Sequence, residues 1–563
     1  MENTDKTICR MTSWLLSQWG VRDAVLCPGS RNVPLIMAIS RNGDIRQRTV
    51  VDERSAAFAA LGLAVQTQRP VAVVCTSGTA VLDMAPAVAE AFYRHVPLIV
   101  ISADRPERWI DQADSQTIRQ PGALANIVKT TVDLRDDDSR DNLQFANRKL
   151  NDALWQANSG SKGTVHINIQ LDVPLTRQTT VSDDESFGRI TVECPAPVMT
   201  TAQARALGSL LAPPAKVLVV CGGMEPDQRV SRALGRLAAI PNVVVMAEAQ
   251  ANVHAPGVIN DIDAALSGIV NGERAAALAP DCLITVGGAL VSRFIKPWLR
   301  GRAGVRHWQV GLSDRAEDTF LNLERRIMMP ADHFLPQLAS AMQIYKNSAE
   351  SDYARRWRDI AYNVQATRQA AVQTMPFCDL YAVLTLLNSV PARWNVQLSN
   401  GMSIRYAQSA DTQRLHRVDC NRGVSGIDGS TSTAVGAAWG YGDTTLLVTG
   451  DMSAQYDIGA LGMPGIPASF RMAVLSNGGG NIFRYLKPIA ALPECEPCMA
   501  AGTELPLKTL AEAYGFTYLE ATDKDSLAKA LTLFTKPSDR PMILNIITDG
   551  QLSADVYHRY LGE

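Results

Sequence analysis

The chain has 563 residues, of which 46% are hydrophobic and 20% charged, with a formal net charge of -2. At roughly 100–200 residues per domain, that length implies about three globular domains with large buried cores. The near-neutral balance excludes a nucleic-acid or anionic-membrane surface acting through bulk charge, but leaves room for a local basic pocket.

The first residues, MENTDKTICRMTSWLLSQWGV, have no basic segment followed by a long apolar run, so no secretory signal is expected. No apolar stretch approaches the ~20 residues that span a bilayer. The ten cysteines run from Cys9 to Cys498 and look like reduced thiols, so a cytoplasmic location is expected. Cys495 and Cys498 form a lone CxxC. Without a second pair or nearby histidines, they read as two loop cysteines.

Apolar strands then alternate with loops and longer amphipathic segments. That pattern implies an α/β fold with three doubly wound parallel-sheet domains. The first block has predicted strands at 23–26, 48–51, 71–75, 98–102 and 164–170. Residues 178–197 are polar, acidic and proline-bearing, and read as a linker. The second block has strands at 216–221, 243–247, 282–286, 306–310 and 326–329, and a charged helix over about 348–373 leads out of it. The third has strands at 395–398, 444–448, 472–475 and 542–547. The expected domains are 1–185, 186–370 and 371–563.

Ligands of open parallel sheets gather beyond the carboxyl ends of the strands. In the first block the residues there are 27–31 (CPGSR), 52–54 (DER), 76–79 (TSGT) and 103–106 (ADRP). In the third they are 399–401 (SNG), 450–451 (GD) and 476–480 (SNGGG). The middle block offers mainly the paired glycines of 221–223 and 286–288.

The most specific signal is TGDM at 449–452, followed after a helical stretch by NGGG at 477–480. Asp451 follows one apolar strand and Asn477 the next. Adjacent parallel strands joined by a crossover place such residues side by side. A carboxylate, a carboxamide and a glycine carbonyl are hard oxygen donors. They leave positions of an octahedron for water and phosphate, which suits magnesium. The glycines also let backbone N–H groups approach a diphosphate. Either residue alone is better explained as a helix cap; the spaced pair favours the metal.

Glu53 stands between an apolar strand ending at Val51 and a helix of small and apolar residues over 55–64, whose close packing would exclude water. By itself, Glu53 next to Arg54 is better explained as a surface ion pair.

GD followed some 25 residues later by an Asn–Gly-rich turn resembles the signature of the thiamine-diphosphate enzymes. That family usually has two consecutive asparagines, where this chain has Ser476 and Asn477. The resemblance implies thiamine diphosphate as cofactor, and magnesium, with manganese as an alternative, held by Asp451, Asn477 and the Gly479 carbonyl. Ser453 would contact the diphosphate, with Gly401, Met402, Ser425 and Met452 also on the cofactor. Ile427 would be the apolar wedge that bends it; an ordinary core isoleucine is the simpler explanation of that residue alone. Glu53 would be the catalytic carboxylate that activates the pyrimidine ring. In the family it reaches a cofactor bound by another subunit, which implies a homodimer or homotetramer.

Within that group the chain is similar, along nearly its whole length, to the 2-succinyl-5-enolpyruvyl-6-hydroxy-3-cyclohexene-1-carboxylate (SEPHCHC) synthases of menaquinone biosynthesis. The match rests on PGSR at 28–31, DER at 52–54, TSGTA at 76–80, ADRP at 103–106, SQTIRQP at 115–121, NRGVSGIDG at 421–429 and NIF at 481–483. It implies decarboxylation of 2-oxoglutarate and 1,4-addition of the succinyl carbanion to isochorismate. Both substrates are dicarboxylates, and arginine's planar, permanently charged fork suits them. Arg31, Arg105, Arg293, Arg405 and Arg422 match acid-binding positions, Ser30 and Gln116 polar contacts, and Ile482, Phe483 and Leu486 an apolar wall. The family can carry lysine just before the equivalent of Arg293, where this chain has Ser292.

Two alternatives stand beside this one. The first is another thiamine enzyme, such as an acetolactate-synthase-like carboligase or a 2-oxo-acid decarboxylase, which would need fewer cations. The second is a nucleotide-binding Rossmann regulatory protein, against which stands the lack of GxGxxG and GxxxxGK[ST]. No GxSxG elbow or HExxH helix supports a hydrolase.

Overall fold

The computed structural model describes residues 2–182, 184–267, 269, 273–502 and 504–562. The chain is an α/β protein with three parallel sheets. The first contains β1 (Asp23–Leu26), β2 (Arg46–Thr49), β3 (Val71–Cys75), β4 (Leu98–Asp104), β5 (Thr131–Arg135) and β6 (Val165–Gln170), in the order β2-β1-β3-β4-β6-β5. The second contains β7 (Val217–Cys221), β8 (Val243–Ala247), β9 (Cys282–Val286), β10 (Arg306–Val310) and β11 (Leu323–Ile327), in the order β8-β7-β9-β10-β11. The third contains β12 (Asn395–Leu398), β13 (Arg417–Cys420), β14 (Thr445–Gly450), β15 (Phe470–Ser476), β16 (Thr517–Ala521) and β17 (Met542–Ile547), in the order β13-β12-β14-β15-β17-β16. The first and third sheets therefore share one topology.

Strands such as β3, β7 and β8 are buried at every position. They read as unbroken apolar runs because helices cover both faces of a parallel sheet. Three edge strands escape the sequence pattern. β5 and β16 are only half-buried, and β13 carries Arg417 and Asp419, which pair with each other. The predicted strand at 48–51 lies two residues earlier, as β2, and Val51 is 76% exposed. The expected linker over 178–197 includes Gln178–Thr180, which pairs antiparallel with Glu2–Thr4.

The chain gathers into two compact units. One comprises 1–194, 423–445 and 456–470; the other 195–422, 446–455 and 471–563. In the first unit the helix Glu53–Thr67 crosses the helix Ser430–Gly440. A Cβ at Gly62 would lie 1.9 Å from the Thr433 carbonyl oxygen, and one at Gly436 1.9 Å from that of Ala59. Glycine is required at both positions for the backbones to approach this closely. The second unit packs a core of Leu380, Leu387, Val396, Val448, Leu475, Leu544 and Tyr557 around the third sheet. Among the described residues, no single helix is long and apolar enough to cross a membrane.

Candidate active site

In the third sheet the chain reverses direction between β12 and β14, opening a crevice at their carboxyl ends. Residues 399–403 follow β12, Asp451 follows β14, and Asn477 follows the adjacent β15. Asp451 begins the helix Asp451–Tyr456 and is buried. Its Oδ2 accepts the backbone N–H groups of Asn477 (3.1 Å), Gly478 (2.9 Å) and Gly479 (3.0 Å), and its Oδ1 that of Met452 (2.7 Å). Burial raises its carboxyl pKa, against the pull of those four bonds.

The 477–479 turn is held from its other side by Arg484. The guanidinium donates to the carbonyls of Asn477 (3.1 Å) and Gly478 (2.8 Å). Among the described residues, the Gly479 carbonyl receives no hydrogen bond. Gly479 has φ +117°, and a Cβ there would lie 2.2 Å from the Ala500 carbonyl oxygen, so only glycine fits.

The Asn477 amide is aimed by a buried carboxylate absent from the sequence reading. Asp379 Oδ2 accepts from Asn477 Nδ2 at 2.7 Å and from Asn481 Nδ2 at 3.1 Å, while Thr548 Oγ1 donates to Oδ1. Asn477 Oδ1 is then left buried with no protein partner. Buried polar oxygens are normally hydrogen-bonded, and an orphan of this kind marks a place for an ion or water. A carboxylate, an unclaimed amide oxygen and an unclaimed carbonyl are the donor set of a hard divalent cation. The residues present fit magnesium. Ser453, on the same helix as Asp451, is buried, and Met452 follows Asp451 directly.

The apolar candidates follow at once. Ile482 and Phe483 lie on the helix Asn481–Tyr485, and Ile482 and Leu486 pack on the core of the third sheet. The Arg293 guanidinium stacks over the rings of Tyr485 (4.8 Å) and Phe294 (5.0 Å). Arg422 Nη1 donates to Asn400 Oδ1 at 3.0 Å, and Arg405 Nη1 to the Val291 carbonyl at 3.3 Å. Ser292, where the family can carry lysine, is buried and bonded to Asp263.

The first unit holds the other candidates. Glu53 is the first residue of its helix, with Asp52 as the N-cap. Burial raises its carboxyl pKa, and the nearby Asp83 and Asp52 charges add to the rise. Arg54 does not pair with it: its guanidinium lies near Asp52 (3.8 Å) and over the Tyr456 ring (5.4 Å). Arg31 is buried and donates to the Leu171 carbonyl at 3.0 Å. Burial and the neighbouring Arg105 lower its pKa, so these two cations share one field. Arg105 pairs with Asp114 at 2.7 Å. Ser30 is exposed; Gln116 has φ +58° and donates to the Ser77 carbonyl at 3.2 Å. Ile427 lies in the turn before Gly429, where a Cβ would strike the Phe58 ring at 2.2 Å. A buried network unread in the sequence supports this set. Asn168 bridges Asp104, Ser102 and Gln120, and Gln120 Oε1 accepts from Gly78 N–H at 2.8 Å. Burial pushes Asp104 up to about 6.

The family profile described as "Thiamine pyrophosphate enzyme, N-terminal TPP binding domain" matches residues 7–123. Proteins named SEPHCHC synthase resemble the whole chain. The one from Porphyromonas gingivalis is 37% identical over 556 residues, covering 97% of this chain and 95% of its own. That from Flavobacterium johnsoniae is 37% identical over 540 residues, covering 95% and 94%. That from Bacteroides fragilis is 34% identical over 571 residues, covering 99% and 100%. The chain belongs to the SEPHCHC synthase family. It is thus a thiamine-diphosphate-dependent enzyme.

Proposed function

We propose that the chain decarboxylates 2-oxoglutarate and adds the succinyl carbanion to isochorismate in the cytoplasm, as a step of menaquinone biosynthesis. The observation that carries the mechanism is the Asp451–Asn477 clamp with its unclaimed oxygens. Bound thiamine diphosphate supplies the electron sink that makes a 2-oxo acid lose carbon dioxide. Asp451, Asn477 Oδ1 and the Gly479 carbonyl would hold magnesium, with manganese as a substitute, at the diphosphate-binding end of the site. Gly401, Met402, Ser425, Met452 and Ser453 would line the cofactor, and Ile427 would wedge it.

Glu53 would exchange a proton with the pyrimidine of a bound cofactor. Its raised pKa suits that exchange, because a carboxyl nearer the working pH gives and takes a proton more readily. Arg31, Arg105, Arg293, Arg405 and Arg422 bind the substrate carboxylates, with Ser30 and Gln116 as polar contacts. Ile482, Phe483 and Leu486 keep water from the reacting carbons. In this reading, domains over 1–185, 186–370 and 371–563 bind the pyrimidine, support the site and bind the diphosphate. The assembly is a homodimer or homotetramer with active sites shared between subunits.

The test is an assay of purified protein with 2-oxoglutarate and isochorismate, with and without thiamine diphosphate and magnesium. Equal or better use of pyruvate, with no product from isochorismate, would replace the substrate assignment with an acetolactate-synthase-like one. No calorimetric binding of thiamine diphosphate would favour a nucleotide-binding regulatory role instead.

A further inference from the structure

The second sheet was the part of the chain with the fewest chemical signals, yet three cations gather on the carbonyls of one of its loops. The loop after β9 carries a turn at 290–292. Glu248, the residue after β8, is buried beneath it. Its Oε1 accepts the N–H groups of Val291 (2.7 Å) and Ser292 (2.7 Å), and Gln250 donates to Oε2. Gln408 ties the same corner to the third sheet. Its Oε1 accepts from Ala249 N–H at 2.9 Å, and its Nε2 donates to Gln250 Oε1 at 3.2 Å.

With its N–H groups consumed, the turn presents its carbonyls to cations. Leu290 O accepts from Lys296 Nζ at 3.3 Å and from Arg422 Nη2 at 3.3 Å, and Val291 O accepts from Arg405 Nη1 at 3.3 Å. The three cations come from three places: the helix Ile295–Leu299, the residues after β13, and the helix Ser403–Ala407. Among the described residues, no carboxylate oxygen lies within 4.0 Å of any of them. Arg422 Nε is buried without a hydrogen-bond partner. Burial, then the charge of Arg422, lowers the Lys296 pKa, so ammonium and guanidinium share one field. Three like charges gathered on two carbonyls repel one another, and the one carboxylate whose charge reaches Lys296, Glu248, is already taken up by the turn's N–H groups. An incoming anion supplies a counter-charge.

We infer that Lys296 is a substrate-binding cation, forming with Arg405 and Arg422 a carboxylate-binding cluster that Glu248 holds in place from the second sheet. This rests on the proposed function for the identity of the acid. Lys296 contributes a compact, strongly hydrated point charge beside two planar forks. The alternative is a structural staple, in which the three side chains only tie the second sheet to the third.

The experiment uses the full chain loaded with thiamine diphosphate and magnesium. Lys296→Ala and Lys296→Arg are compared with the parent in steady-state kinetics over a range of ionic strength, and by calorimetric titration with 2-oxoglutarate and with isochorismate. Loss of one charge-assisted hydrogen bond implies a rise of about tenfold or more in KM for one of the two acids. In Lys296→Ala, kcat changes little, thiamine diphosphate affinity is unchanged and the salt dependence of that KM flattens, while Lys296→Arg recovers most of the affinity. Unchanged KM and binding for both acids in Lys296→Ala overturns the inference, as does a KM rise that keeps its full salt dependence and is equal in the two variants. If the parent turns over neither acid, the proposed function fails. The two titrations then decide the cluster separately: equal affinity of parent and Lys296→Ala for both acids removes it.

Discussion

Asn477 donates its side-chain amide to Asp379 at 2.7 Å, and this one bond decides which end of that amide faces the crevice. Asp379 is fully buried, and its own pKa is raised by that burial while its hydrogen-bond donors, Thr548, Asn477 and Asn481, pull it down. Removing its charge weakens the hold on Nδ2 and lets the amide rotate.

Asp379→Asn is expected to lower divalent-cation affinity about 10- to 100-fold, the usual effect of losing a partner behind a metal ligand. Manganese binding followed by electron paramagnetic resonance, with thiamine diphosphate present, reads this without turnover. Unchanged affinity would mean that the amide orientation does not depend on Asp379.

Glu53→Gln should keep cofactor binding, because Glu53 is not among the diphosphate and metal contacts. Hydrogen–deuterium exchange at C2 of the bound cofactor should slow by about 10²-fold or more, as expected for loss of a positioned proton-transfer group. Exchange at the parental rate in this variant would remove Glu53 from the activating role.

The glycine crossing is a packing prediction. Gly62→Val places a side chain where a Cβ alone would lie 1.9 Å from the Thr433 carbonyl oxygen. The cost is about 1–3 kcal/mol or more, visible as a lower urea midpoint. Gly43→Ala, with nothing within 4 Å of its Cβ, should change stability by no more than about 0.5 kcal/mol.

His166 gives a pH dependence. It is buried, its Nε2 lies 2.7 Å from Ser102 Oγ, and burial lowers its pKa to about 4. An unfolded histidine titrates near 6.5. The folded state thus favours the neutral ring. Its contribution is fully present above about pH 6.5 and is lost as pH falls toward 4, to a total of about 3 kcal/mol. His166→Gln should flatten the stability profile of the chain across that window, measured by denaturant unfolding at several pH values. Parallel profiles would show that the ring does not titrate there.

Strand-end chemistry was legible in the sequence because it is written in contiguous residues. TGDM and NGGG each follow an apolar run, and in a parallel sheet such runs end where ligands gather. The buried strands β3, β7, β8 and β17 announced themselves as apolar runs for the same reason. Two polar edge strands did not: β5 alternates charged and apolar residues, and β13 hides an ion pair that reads as a loop.

By itself, then, the sequence determined the α/β class, the central strands and the donor types at their tips, since these depend on local pattern and composition. Only the tertiary structure decided which donors are free. Asp379 lies about a hundred residues before Asn477, and Glu248 lies more than forty before Val291. Neither stands in a motif of its own. A buried hydrogen bond between such distant residues orients an amide or clamps a turn only once the sheets have packed. No periodicity or spacing along the chain encodes that pairing.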